Sequence, residues 1–182
     1  MKPEKVFKRY DIRGEYPEEL DEEFAERLGK ALGTFTAKNY LQKVVVCRDG
    51  KDSSEPLKKA LIEGLTSSEI EVIDVGVGPT DYTAWCGKIE ECISVQITSS
   101  HMPLNFNGFK LMYPEGNGFV NEDLYKVQDI FRDQEFISGE GKITEKRLIE
   151  KYRENILNFA SNFNESFEKK IVFESMGGEA RI

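Results

Sequence analysis

A hydroxyl pair, an imidazole, an Asn-Gly turn and an amine fall together in the run Thr98-Ser99-Ser100-His101-Met102-Pro103, followed by Leu104-Asn105-Phe106-Asn107-Gly108-Phe109-Lys110. A serine beside a histidine fits covalent catalysis. His101 is the only histidine, so a Ser-His-Asp hydrolase would have to pair its nucleophile with the adjacent imidazole. Neighbours in an extended segment point to opposite sides, so Ser100 and His101 can pair only on a sharp turn. The chain also lacks a G-x-S-x-G elbow. Phosphoryl chemistry suits the same residues better. A serine on a turn at a strand end can carry a phosphoryl group of charge about −2, balanced by backbone N–H groups and basic side chains. Arg9, Arg13, Arg48, Lys51 and Lys110 are candidate cations at expected loop positions. Arg grips phosphate bidentately, and a Lys amine can serve as a base. Lys51 reads as a solvated surface charge, whereas the context of Arg13 and Lys110 favours a role in the site.

Alternating helices and strands must position these groups. Leu20, Phe24, Leu28, Leu32 and Phe35 recur every three or four residues and mark an amphipathic helix. Val44-Val45-Val46-Cys47 reads as a buried strand ending in the Arg48-Asp49-Gly50 turn. Ser53 or Ser54 can cap a second helix carrying Leu57, Leu61, Ile62 and Leu65. Residues 70–75 form the next strand, and the Gly76 to Gly78 turn leads into a helix near Thr80 with Trp85 beneath that turn. Strands are expected over 92–97 and 109–113, and helices over 121–131 and 143–163. This order predicts an α/β fold, a three-layer α/β/α domain with a mostly parallel (mixed) sheet. Ligands of such domains gather at strand carboxyl ends. A strand-like segment over 170–174, followed by Met176-Gly177-Gly178, reads as the opening of another βα unit. The expected organisation is therefore one domain over 1–168 and the start of a truncated second domain over 169–182.

Composition narrows the functions. The 182 residues hold 33 Asp+Glu against 25 Lys+Arg, a net charge of −8, which repels nucleic acid and anionic lipid. Three cysteines without C-x-x-C spacing suggest neither a disulfide framework nor a zinc ribbon and fit a reducing cytoplasm. No apolar run approaches the roughly 20 residues of a membrane span. The expectation is a cytoplasmic protein with no nucleic-acid or membrane partner.

Four segments carry a resemblance: Phe7-Lys8-Arg9-Tyr10-Asp11-Ile12-Arg13-Gly14, Cys47-Arg48-Asp49-Gly50-Lys51-Asp52-Ser53-Ser54, Asp74-Val75-Gly76-Val77-Gly78-Pro79-Thr80, and the run from Thr98 to Lys110. In this order they resemble the first domain of the α-D-phosphohexomutases, the phosphoglucomutase/phosphomannomutase family. The resemblance implies that Ser100 is a phosphoserine that passes its phosphoryl group to a hexose phosphate substrate, through a bisphosphate intermediate. It implies that His101 and Lys110 assist proton transfer, and that Tyr10, Arg13 and Arg48 line the phosphoserine and substrate. It further implies Mg²⁺, touched here by Ser100 through its phosphate and held mainly by a D-G-D-x-D-R loop that this sequence lacks. A hexose bisphosphate is the implied activator, and the remaining domains of the same chain are the implied partners, so the isolated chain is expected to be inactive.

Ser99 and Met102 stand where the family usually has a small residue and an asparagine. Ser99 leaves the phosphoserine ambiguous by one residue; Ser100 is favoured because it directly precedes His101. Met102 removes a polar group from the loop and keeps open an alternative, a non-catalytic phosphosugar-binding or regulatory module derived from a degenerate mutase. Asp49 and Asp52 read as turn residues rather than metal ligands.

Overall fold

The computed structural model describes residues 5–39, 42–120, 122–162, 170 and 172. Among the described residues, six strands and five helices follow one another in the order β1 (Ile12–Glu15), α1 (Glu22–Lys38), β2 (Lys43–Arg48), α2 (Ser54–Thr66), β3 (Glu71–Val77), α3 (Thr80–Glu90), β4 (Ile93–Ile97), β5 (Phe106–Met112), α4 (Glu122–Asp133), β6 (Ile143–Glu145) and α5 (Ile149–Ala160). The strands form one sheet in the order β1-β5-β4-β2-β3-β6. β4, β2, β3 and β6 run parallel, whereas β5 pairs antiparallel with both β4 and β1.

Side-chain alternation along the strands assigns the layers. Val44 and Val46 of β2 face one apolar cluster with Leu28 and Leu32 of α1, Leu57, Leu61 and Leu65 of α2, and Leu124 and Val127 of α4. Val45 and Cys47 face the other, with Tyr82 and Cys86 of α3, against which Tyr152 of α5 packs. The sheet is thus sandwiched between α1, α2 and α4 on one side and α3 and α5 on the other, the expected α/β/α architecture.

α1 begins where Asp21 accepts a hydrogen bond from Phe24 N at 2.8 Å, and its first turn holds Glu22 and Glu23. It crosses α2 so closely that glycine is needed at the contact. A Cβ on Gly64 would lie far inside van der Waals contact distance of the Glu26 carbonyl oxygen and 2.9 Å from Gly29 Cα. α2 starts as expected at Ser54, but neither serine caps it with its side chain; both hydroxyls are engaged by Asn107 instead.

Two short edge strands depart from the sequence reading. β1 was expected as loop, and β6 takes the first three residues of the helix expected over 143–163, which begins only at Ile149. β5 starts at Phe106, three residues earlier than expected. Trp85 makes its ring contact with Tyr152 of α5, at 5.5 Å between centroids. No helix among the described residues is long and apolar enough to cross a membrane. The strand expected over 170–174 and the domain boundary at 168/169 lie outside the described residues, save Lys170 and Val172.

Candidate active site

The parallel core strands deliver β2 and β4 to the same edge of the sheet, where Arg48 pairs in register with Ile97. The loop leaving β4 carries Ser99, Ser100 and His101, and the turn leaving β2 carries Asp49, Gly50 and Lys51. The two serines occupy different environments. Ser99 is fully buried, and its Oγ accepts a hydrogen bond from Lys51 Nζ. Ser100 is exposed and adopts φ 58°, the left-handed region that a non-glycine residue rarely enters. Its backbone N–H donates to Thr98 Oγ1 at 3.0 Å, and Met102 N donates to Ser99 O at 3.2 Å, which stabilises the turn. Its Oγ lies 3.3 Å from His101 Nδ1. The sharp turn needed to pair neighbouring side chains therefore exists, which removes the geometric objection raised from extended-chain geometry.

Strand register decides which cations share a face. Ile12 and Phe109 are paired and both enter the cluster under α1 and α2, so Arg13, paired with Gly108, and Lys110 point to the opposite face. Thr98 N donates to Gly108 O at 2.9 Å, which puts Arg13, Gly108 and Thr98 in one row across β1, β5 and the serine loop. Gly108 is required there: a Cβ would lie 3.1 Å from Thr98 O and 3.3 Å from Arg13 Cα. Lys110 is exposed and paired in register with Gln96 of β4. Arg13 is ion-paired with Asp11. Tyr10 is exposed on a tight turn closed by Lys8 N donating to Asp11 O at 2.8 Å, with the Arg9 guanidinium 5.0 Å from its ring centre.

Arg48 sits apart from this pair. It lies on the α1/α2 side of the sheet, donating from Nε to Glu55 Oε2 at 2.6 Å and from Nη1 to Asp49 O at 2.8 Å. Burial opposes ionisation of Glu55, but the charges of Lys58, Arg48 and Lys59 and the Arg48 hydrogen bond together hold its pKa below the usual carboxylate value. The structure thus brings Arg13 and Lys110 onto one face and tethers Arg48 on the other. Arg13 and Arg48 are strand residues rather than the loop residues expected, and Lys110 lies in β5, within the strand expected over 109–113.

Lys51, expected as a solvated charge, is half-buried and points into the serine loop, reaching Pro103 O at 3.4 Å and Phe106 O at 3.2 Å as well as Ser99. Asn107 enters the sequence reading only as half of the Asn-Gly turn. It is fully buried, donates to Ser53 Oγ at 2.7 Å and Ser54 Oγ at 2.9 Å, and accepts from Gly108 N at 2.8 Å. Asp49 is buried and accepts from Ser54 Oγ and from Lys51 N, as a turn residue does. The signal for both residues was their place in the two quoted motifs, because their partners are remote in sequence.

A sequence profile described as phosphoglucomutase/phosphomannomutase, alpha/beta/alpha domain I, matches residues 4–138. The chain belongs to the phosphoglucomutase/phosphomannomutase family. It is 36% identical over 161 residues to a phosphoglucomutase/phosphomannomutase of Thermococcus kodakarensis, covering 85% of this chain and 35% of that protein. A phosphomannomutase of Vibrio cholerae is 37% identical over 172 residues, covering 87% of this chain and 36% of its own length. Among solved structures, a phosphoglucomutase/phosphomannomutase family protein of Burkholderia thailandensis superposes with a TM-score of 0.77 at 28% identity, over 84% of this chain and 35% of the other. This family domain spans about a third of the length of the curated relatives it matches.

A divalent cation needs several oxygen ligands, commonly carboxylates. Among the described residues of this phosphohexomutase-family domain, no group of three or more His, Cys, Asp or Glu side chains is placed to hold one. Asp49, the buried acid of the turn beside the serine loop, is already committed to Ser54 and Lys51 N. The described residues therefore do not by themselves fit a Mg²⁺ site.

Proposed function

We propose that this chain is the phosphoserine-bearing domain of a phosphohexomutase and that Ser100 carries the phosphoryl group. The observation that carries the reading is the contrast between the two serines. Ser100 stands exposed on a left-handed turn with its Oγ 3.3 Å from an imidazole, while Ser99 is buried under Lys51. A phosphorylated side chain of charge about −2 belongs at the exposed position, since burying it would be costly.

In the first half-reaction, a hydroxyl of a bound hexose monophosphate attacks the phosphorus. The new O–P bond forms as the Ser100 Oγ–P bond breaks. His101 gives a proton to the departing Oγ, and Lys110 takes the proton of the attacking hydroxyl. In the second half-reaction, the other phosphoryl group of the resulting bisphosphate passes to Ser100 Oγ. His101 takes the Oγ proton, and Lys110 returns one to the sugar oxygen. Arg13, in one row with Gly108 and Thr98, binds and orients phosphate oxygens in this reading, together with Tyr10 and with Arg48 at the end of β2. Mg²⁺, a hexose bisphosphate activator and a cytoplasmic setting complete this reading. The carboxylates for the metal would come from other domains of the parent protein, and Ser100 would contribute its phosphate.

The test is to incubate the full-length parent with labelled glucose 1,6-bisphosphate and map the phosphopeptide. Label on Ser100, lost in Ser100→Ala, is expected. Label on Ser99 overturns the assignment, and no label on either serine favours a non-catalytic module. The 182-residue chain alone is expected not to interconvert glucose 1-phosphate and glucose 6-phosphate; robust turnover would show that the other domains are dispensable.

A further inference from the structure

We propose that Lys51 is a positioning residue for the phosphoserine turn, a latch that sets where Ser100 stands; the inference rests on the phosphoserine reading above. An ammonium has three N–H donors and no acceptor. Three oxygens of the serine loop receive them: Ser99 Oγ, Pro103 O at 3.4 Å and Phe106 O at 3.2 Å. These partners lie at the residue before Ser100, in the middle of the loop, and at the first residue of β5. One cation therefore ties the entry, middle and exit of the loop together.

The latch is itself anchored. Lys51 N donates to Asp49 Oδ1 at 3.1 Å, and Ser54 N donates to Lys51 O at 3.0 Å. Asp49 is buried and also holds the Ser54 hydroxyl, while Asp49 N donates to Ile97 O at 2.9 Å, the last residue of β4. The turn that carries Lys51 and the strand that carries the serine loop are thus fixed to each other at their base, and Lys51 fixes them again at the tip.

Ser99 and Ser100 are joined by a planar peptide about 3.8 Å from Cα to Cα, which has little slack. A displacement of Ser99 is therefore passed directly to Ser100. In-line phosphoryl transfer depends on the placement of the phosphorus, and a misplacement of about 1 Å can cost roughly a hundredfold in rate. The oxygens that Lys51 holds all belong to the loop itself, so in this proposal it acts through Ser99.

The test uses the full-length parent with Lys51→Met, which keeps the apolar stem but loses the charge and donors, and Lys51→Arg, which keeps the charge in a planar fork. Phosphate incorporation into Ser100 from glucose 1,6-bisphosphate is timed, and amide hydrogen exchange is followed across the domain. Lys51→Met is expected to slow incorporation by about tenfold to a hundredfold and to lower kcat while KM for the hexose monophosphate stays within about twofold. Exchange should quicken at amides 99–106 and stay unchanged in α1, α2 and the sheet. Lys51→Arg should recover part of the loss. Incorporation at the wild-type rate in Lys51→Met overturns the inference, as does a loss of protection spread over the whole domain, which would make Lys51 a general structural residue. Should Lys51→Met fail to fold, Ser99→Ala removes one of the three ties and is expected to slow incorporation by roughly threefold to tenfold; an unchanged rate refutes the latch equally. If the wild-type parent takes no phosphate on Ser100, the phosphoserine reading falls and the latch with it. Normal wild-type labelling with unaffected variants removes the latch alone.

Discussion

Asn107→Leu removes the polar hub beneath the serine loop without leaving a large void. The side chain is fully buried and makes three hydrogen bonds, to Ser53 Oγ, to Ser54 Oγ and from Gly108 N. The two serine hydroxyls can turn, and Ser54 keeps its bond to Asp49, so each loss is worth about 1 kcal/mol in net terms. The Gly108 N–H has no such freedom, and leaving it buried and unpaired costs about 1–3 kcal/mol. Against this, leucine gains up to about 1–2 kcal/mol from its extra apolar surface. The balance is a destabilisation of about 1–4 kcal/mol. For a domain of this size each kcal/mol lowers Tm by about 2–4 °C, so the expected fall is about 2–16 °C. Thermal and urea unfolding of the chain, followed by circular dichroism, measure it. A double-mutant cycle with Ser54→Ala should show the two losses to be non-additive, because the residues share a bond. A melting temperature within about 1 °C of wild type would refute the reasoning, since it would mean that the buried amide contributes nothing net.

Three further outcomes are expected. Gly64→Ala gains about 1 kcal/mol of helix propensity, but its Cβ would collide with the Glu26 backbone at the α1/α2 crossing. A net loss of about 1–3 kcal/mol in urea unfolding is expected, and a more stable variant would show that the helices part freely. Glu55, whose pKa is held below 4.5 in the folded chain, stabilises the fold above that value and loses its contribution as pH falls through the lowered one. Glu55→Gln should therefore be less stable than wild type at pH 7, with the gap closing in acid; a constant gap would mean that the charge is not responsible. Burial pushes the Cys47 and Cys92 thiols up to about 11 and Cys86 up to about 12. All three should resist a thiol reagent at pH 8 until the chain is unfolded, and prompt labelling would show that the α3 side of the sheet opens readily.

Elements with a long, one-sided apolar pattern were legible before any coordinates. The stripe from Leu20 to Phe35 became α1, and the β-branched run Val44 to Val46 became the centre of β2. β1 and β6 were not legible for the same reason. Four and three residues on the sheet edges are too short to show a period, and β1 holds Gly14 in its middle. The α1/α2 crossing is also hidden in the sequence, because a glycine inside a helix shows only a small local cost until a partner helix is seen against it, as at Gly29 and Gly64.

The candidate site divides in the same way. The resemblance carried by contiguous motifs named Ser100, His101, Lys110, Tyr10, Arg13 and Arg48 as candidates. Sequence alone could not say which of two adjacent serines is exposed. Neither could it say that Arg13 and Lys110 share a face while Arg48 is tied to Glu55 on the other, nor that Lys51 turns inward. Those facts depend on strand register and on contacts between residues 48 and 55 positions apart in the chain, as between Lys51 and Ser99 or Phe106. A one-residue change of parity in an antiparallel pair reverses which side of the sheet a side chain occupies, and only the folded pairing of Arg13 with Gly108 decides it.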